Sequence, residues 1–292
     1  MKVGQIAIVG RPNVGKSTLV NHLIGQKVSI VSDKPQTTRQ RVRGVLTTET
    51  AQFVFVDTPG FQTKYKSTLN RTMNRYVTQS FADVDVIVLV VEAMKWSPED
   101  DAVLALLPPS QNTLLAINKV DKLEDKTLLH GYLEMLSKKR DFASFVPVSA
   151  QKGTQLKNLL TEIEQRLPEG ELLFDADALT DRNEKFLAAE LIREKVFRQL
   201  GEEIPYGCTV IIEKFEQEGN LRRIFASILV DNENHKPMII GKSGERMKKI
   251  ASAARLDMQT LFDGPIYLEV FVKVRNGWAN TEESLRRLGY ET

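Results

Sequence analysis

The chain has 292 residues, of which 42% are hydrophobic and 27% charged, with 40 basic side chains, 38 acidic ones and a single cysteine. At about 150 residues per domain this length predicts two domains, each large enough to bury its own core. Ordinary globular composition excludes a disordered or collagen-like chain, lone Cys208 excludes an internal disulfide, and no apolar run exceeds six residues, as in Val86–Val91, well short of the roughly 18 that cross a bilayer.

The apolar stretch Gln5–Val9 is too short for a secretory signal, so a soluble, cytoplasmic protein is expected. A strand over Ile6–Val9 leads into Gly10-Arg11-Pro12-Asn13-Val14-Gly15-Lys16-Ser17, and a helix over Lys16–Ile24 follows with Thr18 in its first turn. This is G-x-x-x-x-G-K-[ST] in the setting its mechanism requires. Glycines let backbone N–H groups wrap phosphates at a helix N-terminus, Lys16 reaches the β and γ phosphates, and Ser17 offers its hydroxyl to Mg²⁺. The polar segment Pro35-Gln36-Thr37-Thr38-Arg39 comes next. A threonine there can give its hydroxyl to the metal only while a γ-phosphate is bound, and Thr38 is preferred to Thr37.

A strand over Phe53–Asp57 ends in Asp57-Thr58-Pro59-Gly60, with Phe61 after it. Asp57 is placed to hold Mg²⁺, and Gly60 to bring its N–H to a γ-phosphate. Strands over Val84–Glu92, Leu114–Asn118 and Phe145–Ser149 alternate with helices over Glu99–Leu107, Lys126–Lys138 and Gln155–Leu167. That rhythm predicts an α/β domain over residues 1–168, a mostly parallel sheet flanked by helices. Asn118-Lys119-Val120-Asp121 ends one strand. Asp121 can accept from N1–H and the 2-amino group of guanine, and adenine offers no donor at either place. Asn118 can tie the base loop to the phosphate loop, and the Lys119 stem can cover the purine face. After the next strand, Ser149 and Ala150 bring a backbone N–H toward guanine O6.

Together these motifs resemble the translation-factor class of GTPases, and the particular wording of Gly10–Ser17 with Gln36-Thr37-Thr38-Arg39 resembles the Era family. The resemblance implies GTP and GDP as ligands, Mg²⁺ held by Ser17, Thr38 and Asp57, and a K⁺ ion recruited by Asn13. Catalysis would then rest on Asn13, Lys16, Thr38, Asp57 and Gly60. Phe61 stands where many GTPases carry a water-orienting glutamine, and Gln62 comes one place late, so slow intrinsic hydrolysis is expected.

Residues 169–182 are acidic and read as a linker, and residues 183–292 change pattern. A helix (Asn183–Leu200), two strands (Cys208–Glu216, Leu221–Val230), a helix (Gly244–Phe262) and a strand (Ile266–Val274) make a smaller α+β unit. Its basic cluster is Lys236, Lys242, Arg246, Lys248, Lys249 and Arg255 against Glu245 alone. Ile239-Ile240-Gly241-Lys242-Ser243-Gly244 supplies a G-x-x-G turn past which an RNA backbone can run, with Ile239, Ile240, Ile250 and Ala253 as a groove for bases. This order resembles a type II KH domain, and the segment from Phe262 to Tyr290 resembles the end of Era proteins. Trp278 reads as packing rather than a stacking platform. His22, His130 and His235 lack metal-ligand spacing, so zinc is not expected.

The family resemblance implies a monomeric GTP-gated switch on the 3′ region of 16S rRNA, acting in small (30S) subunit assembly, with peripheral inner-membrane contact and no DNA partner. Three rivals are a P-loop kinase, an RNA chaperone with negligible turnover, and an RNA-modification GTPase using Cys208. The guanine-reading Asp121, the Phe61 position and the apolar setting of Cys208 bear on them in turn.

Overall fold

The computed structural model describes residues 1–62, 67–109, 112–125, 127–201 and 204–290, and the chain divides into two compact units. The first takes residues 1–29, 38–62 and 73–181. Its strands are β1 (Lys2–Val9), β2 (Val42–Thr47), β3 (Ala51–Asp57), β4 (Val86–Glu92), β5 (Thr113–Asn118) and β6 (Ser144–Pro147), in spatial order β2-β3-β1-β4-β5-β6. Only β2 runs antiparallel to its neighbour. Helices α1 (Lys16–Ile24), α2 (Thr68–Gln79), α3 (Pro98–Leu106), α4 (Leu128–Ser137) and α5 (Leu156–Glu164) lie between strands in the sequence. The helix expected from Lys126 thus starts at Leu128, and Lys126 itself lies outside the described residues.

Strand side chains alternate faces, which splits the buried apolar residues into two cores. Ile6, Ile8, Phe53, Phe55, Val88 and Val90 pack with Leu19 and Leu23 of α1 and Leu159 and Ile163 of α5. Ala7, Val9, Ile87, Leu89 and Val91 point the other way, onto Val77 of α2, Val103 of α3 and Leu136 of α4. With apolar cover on both faces, β4 needs no polar side, and all seven of its residues are buried.

The acidic stretch read as a linker is held along the first unit. Val3 N–H donates to Pro168 O at 2.9 Å and Val45 N–H to Leu179 O at 2.9 Å. Between them the fully buried Gln52 amide accepts from Leu173 N–H (2.8 Å) and Phe174 N–H (3.1 Å) and donates to Phe174 O (2.9 Å). Composition marks this stretch as polar but says nothing of its backbone pairing.

The second unit takes residues 30–37, 67–72 and 182–290. It contains α6 (Glu184–Gln199), β7 (Cys208–Glu218), β8 (Leu221–Val230), α7 (His235–Ile240), α8 (Glu245–Leu261), β9 (Ile266–Val274) and α9 (Glu282–Arg287). The sheet order is β7-β8-β9, antiparallel then parallel. Asn183 caps α6 by accepting from Phe186 N–H at 2.9 Å. Leu191, Val196 and Phe197 of α6 and Ile250, Ala254 and Met258 of α8 pack with Ile224, Ala226 and Ile228 of the sheet. Cys208 is buried in this core. Trp278 is fully buried and donates its indole N–H to Gly207 O at 3.0 Å, a packing role.

Segment 30–37 is secured on α6. Lys34 Nζ donates to the carbonyls of Phe197 (2.6 Å), Leu200 and Gly201 (3.3 Å), meeting the orphan acceptors at the end of that helix. Arg198 donates twice to Val31 O at 3.1 Å, and the buried Arg193 donates to Thr37 O. No helix among the described residues is long and apolar enough to cross a membrane.

Candidate functional site

Strands β1, β3, β5 and β6 run in one direction, so the loops after them gather at one edge of the first sheet, where open α/β sheets take ligands. These loops are 10–15, 57–60, 118–121 and 148–150, the four that the sequence singled out. In the first, Lys16 is buried and turns back across its own loop to donate to Gly10 O (3.0 Å) and Arg11 O (2.9 Å). Burial pulls its ammonium down to about 8, with the Asp57 carboxylate acting in the opposite sense. Phosphate oxygens would replace those carbonyls as acceptors and favour its charged form further.

One amide joins three loops. Asn118 Nδ2 donates to Val14 O at 2.8 Å, and its Oδ1 accepts from Ala150 N–H at 2.9 Å, all within buried surroundings, so the Ala150 N–H expected to reach guanine O6 is given to Asn118 instead. A Cβ on Gly15 would lie 2.3 Å from that Nδ2, so the second glycine of the motif is needed for contact with Asn118 as well as for its φ of +103°. Lys119 Nζ donates to Asn13 O at 2.8 Å. Asp121 accepts from the Ser149 hydroxyl, which fixes the carboxylate intended for the base. Val120 is buried and donates its N–H to Val148 O at 3.3 Å.

Ser17 Oγ lies 2.9 Å from Thr38 Oγ1, and Thr38 Oγ1 lies 3.4 Å from Asp57 Oδ2. Asp57 is fully buried, and its Oδ1 has no hydrogen-bond partner. Burial pushes this carboxyl above its ordinary value, against the Ser17 hydroxyl and the Lys16 charge. Two hydroxyls and a buried carboxylate oxygen lacking a partner suit a hard divalent cation such as Mg²⁺. Thr37 spends its hydroxyl on Lys34 O at 2.6 Å, so the geometry separates the two threonines.

The loop after Asp57 is packed closely. Thr58 Oγ1 donates to Ile8 O at 2.8 Å, and a Cβ on Gly60 would meet Pro12 N at 2.8 Å. Phe61 packs against the core on the α2 side, and Gln62 is buried with its backbone held by Asn74.

Glu92 and Asp100 were not singled out for the site, yet both reach it. Arg11 Nε donates to Asp100 Oδ2 at 3.0 Å, and Lys119 Nζ to Glu92 Oε2 at 2.7 Å. Asp100 was legible only as a helix-start residue, a role it also fills by accepting from Ser97 N–H and Oγ, each at 2.9 Å.

In the second unit, α7 and α8 are joined by Gly241 (φ +75°) and a 3-10 turn over Lys242–Gly244. A Cβ on Gly241 would meet Arg246 Cβ at 2.7 Å, so this glycine is sterically required. Lys242, Ser243, Arg246, Lys248 and Lys249 are exposed around the turn. The groove expectation needs one correction: Ile239 and Ile250 are fully buried in the core and turn inward. Ile240 and Ala253 stay half-buried, and the exposed Met238, unremarked in the sequence, stands beside Ile240 in the chain.

A family model described as a 50S ribosome-binding GTPase matches residues 5–119, and one described as a KH domain matches residues 203–279. GTPase Era of Bordetella avium is 55% identical over 290 residues, covering 99% of this chain and 98% of that one. GTPase Era of Nitrosomonas eutropha is 56% identical over the same length and coverage. Two crystal structures superpose with a TM-score of 0.96 at 40% identity over all of both chains. One is an Aquifex aeolicus Era variant bound to GDP·AlF₄⁻, and the other is Era in complex with MgGDPNP and nucleotides 1506–1542 of 16S ribosomal RNA. With identity above half sustained from end to end, and both domain types matched in order, the chain belongs to the Era family of GTPases.

Proposed function

We propose that this protein is a GTP-driven switch that binds 16S rRNA near its 3′ end and acts in assembly of the 30S subunit. Residues 1–168 would form the GTPase domain and residues 183–292 the RNA-binding KH domain, with 169–182 passing between them. The observation that carries the reading is the Asn118 amide bound to both the phosphate loop and the Ala150 loop, which builds a guanine site and a phosphate site as one object. A relative of this family, 40% identical over its whole length, has been captured with MgGDPNP and nucleotides 1506–1542 of 16S rRNA.

In this mechanism the Gly10–Ser17 backbone and Lys16 bind the phosphates, while Asp121, held by the Ser149 hydroxyl, orients the guanine and Ala150, bonded to Asn118, secures the loop beside it. Mg²⁺ held by Ser17, Thr38 and Asp57 would supply charge neutralisation at the β and γ phosphates. K⁺ near Asn13 would add to it. Thr38 and Gly60 report the γ-phosphate, and its loss releases both. Water attacks the γ-phosphate to give GDP and phosphate; without an orienting glutamine, the intrinsic step is slow. RNA would run past Gly241–Gly244, held by Lys242, Arg246, Lys248 and Lys249 with Ile240 against a base. The protein would act as a cytoplasmic monomer with peripheral inner-membrane contact.

The test is binding of a labelled 16S 3′-end oligonucleotide with GDP, a non-hydrolysable GTP analogue or no nucleotide. We expect tightest binding with the analogue, loss in Gly241→Asp, and loss of guanine control in Asp121→Asn. Binding indifferent to nucleotide and to Gly241→Asp would overturn the switch. The position of Phe61 and the buried Gln62 favour a second reading, an RNA chaperone with hardly any turnover. Phosphate release measured with and without RNA separates the two.

A further inference from the structure

Glu92 ends β4 and lies in none of the four loops assigned to the nucleotide. Its side chain is 11% exposed and receives Lys119 Nζ at 2.7 Å on Oε2 and Lys95 Nζ at 2.6 Å on Oε1, while Arg11 of the phosphate loop stands 3.9 Å away. Lys119 bridges onward, donating to Asn13 O at 2.8 Å. Arg11 is anchored by Asp100, whose side chain is fully buried. Two carboxylates from neighbouring positions therefore grip one cation of the phosphate loop and one of the guanine loop.

The two residues joined by the Lys119–Asn13 bond are unusual in backbone terms. Asn13 and Lys119 both sit in the left-handed region, at φ of 64° and 66°. Non-glycine residues stay there only where surrounding contacts over-determine them. The Lys119–Asn13 bond joins the two, and Glu92 is the acidic group that fixes the Lys119 ammonium from the other side. This is not an ordinary surface ion pair, since Lys119 is 23% exposed and Glu92 half that. Burial opposes the charge on Glu92, yet hydrogen bonds from Lys119 and Lys95 hold its carboxyl down to about 2, so the pair is intact at any physiological pH.

We propose that Glu92 is a positioning residue for the guanine nucleotide: by holding Lys119 against the Asn13 carbonyl, it presets the lysine stem over the base and slows nucleotide release. The inference rests on the guanine-nucleotide reading of the site. Because Glu92 acts through Lys119, which covers the base in either nucleotide state, it affects release of GDP and GTP alike.

The test uses the full chain and stopped-flow release of a fluorescent N-methylanthraniloyl GDP and of the matching non-hydrolysable triphosphate. Loss of one charge-assisted hydrogen bond in Glu92→Gln should speed release of both by about tenfold. Single-turnover hydrolysis at saturating GTP should change by less than release does, and Glu92→Gln should add nothing to release in a Lys119→Met background. Glu92→Asp, which keeps the charge on a shorter arm, should fall between wild type and Glu92→Gln and keeps the test decisive if the glutamine variant folds badly. Unchanged release, an effect undiminished in Lys119→Met, or a loss confined to hydrolysis would overturn the proposal. Failure of the wild-type chain to hold the GDP probe would remove the nucleotide reading and this inference with it. Tight wild-type binding with any of those outcomes removes the inference alone.

Discussion

Replacing Asn118 by alanine should unsettle the first unit before any ligand is added. The side chain is 2% exposed and satisfies two buried backbone groups, the Val14 carbonyl at 2.8 Å and the Ala150 N–H at 2.9 Å. Each group left unpaired costs about 1–3 kcal/mol, so the variant should lose roughly 2–6 kcal/mol. At about 2–4 °C per kcal/mol for a unit of this size, the midpoint should fall by roughly 10 °C. A second variant checks the geometry. Gly15→Ala in the native background places a Cβ 2.3 Å from Asn118 Nδ2, a clash that Asn118→Ala removes, leaving only the strain at φ +103°. The two changes should therefore be less damaging together than their separate effects would sum to. Calorimetric melting of the nucleotide-free variants, paired with titration by GDP, reads both effects. A loss under about 1 kcal/mol, or strict additivity with Gly15→Ala, would refute the claim that this amide joins the loops.

Two further outcomes follow from the buried groups. Lys16 titrates near 8 in the folded protein against an ordinary value of 10.5, so between those values the unfolded chain carries the extra proton. Stability of the nucleotide-free protein should then rise as pH increases from about 8 toward 10.5, and denaturant midpoints across that range should lose this slope in Lys16→Met. Trp278→Phe deprives the Gly207 carbonyl of a 3.0 Å donor and shrinks a fully buried side chain, which should destabilise the second unit by about 2 kcal/mol in a near-ultraviolet melt. A change within about 0.5 kcal/mol would mean that Trp278 is not part of that core.

What could be read in advance was what is local. Strands β3, β4 and β5 announce themselves because both faces are buried and their central residues are all apolar. The four nucleotide loops follow because each is a short motif at a strand end. Strand β2 escapes because Arg43, Gly44 and Thr47 interrupt its apolar pattern at an edge of the sheet. Helix α2 was legible in principle, since Leu69, Met73, Tyr76 and Val77 share a face at helical spacing and are buried, but asparagines and arginines mask them. The short helices α7 and α9 offer too few turns for periodicity to register. Glu92 could not be found at all, because its partnership with Lys119 spans 27 positions and depends on β4 and β5 lying side by side. The inward turn of Ile239 is of the same kind: a G-x-x-G motif tells where a turn lies, and only the packed core tells which flanking isoleucine remains outside.

Segment 30–37 also sets an order of events during synthesis. Its lysine is made early, but the carbonyls that receive it, at Phe197 and Leu200, are 163 and 166 positions away. While the ribosome is still working through α5, the chain already holds every strand of the larger sheet and the Asn70 that receives Gln36, yet the α6 partners of Val31, Lys34 and Thr37 do not exist. Those contacts must wait until the end of α6 has left the exit tunnel, and throughout that interval the stretch just before Thr38 is expected to be the more open to proteases and chaperones. A nascent chain stalled before residue 200 should be cut there readily, and one stalled well beyond it should resist.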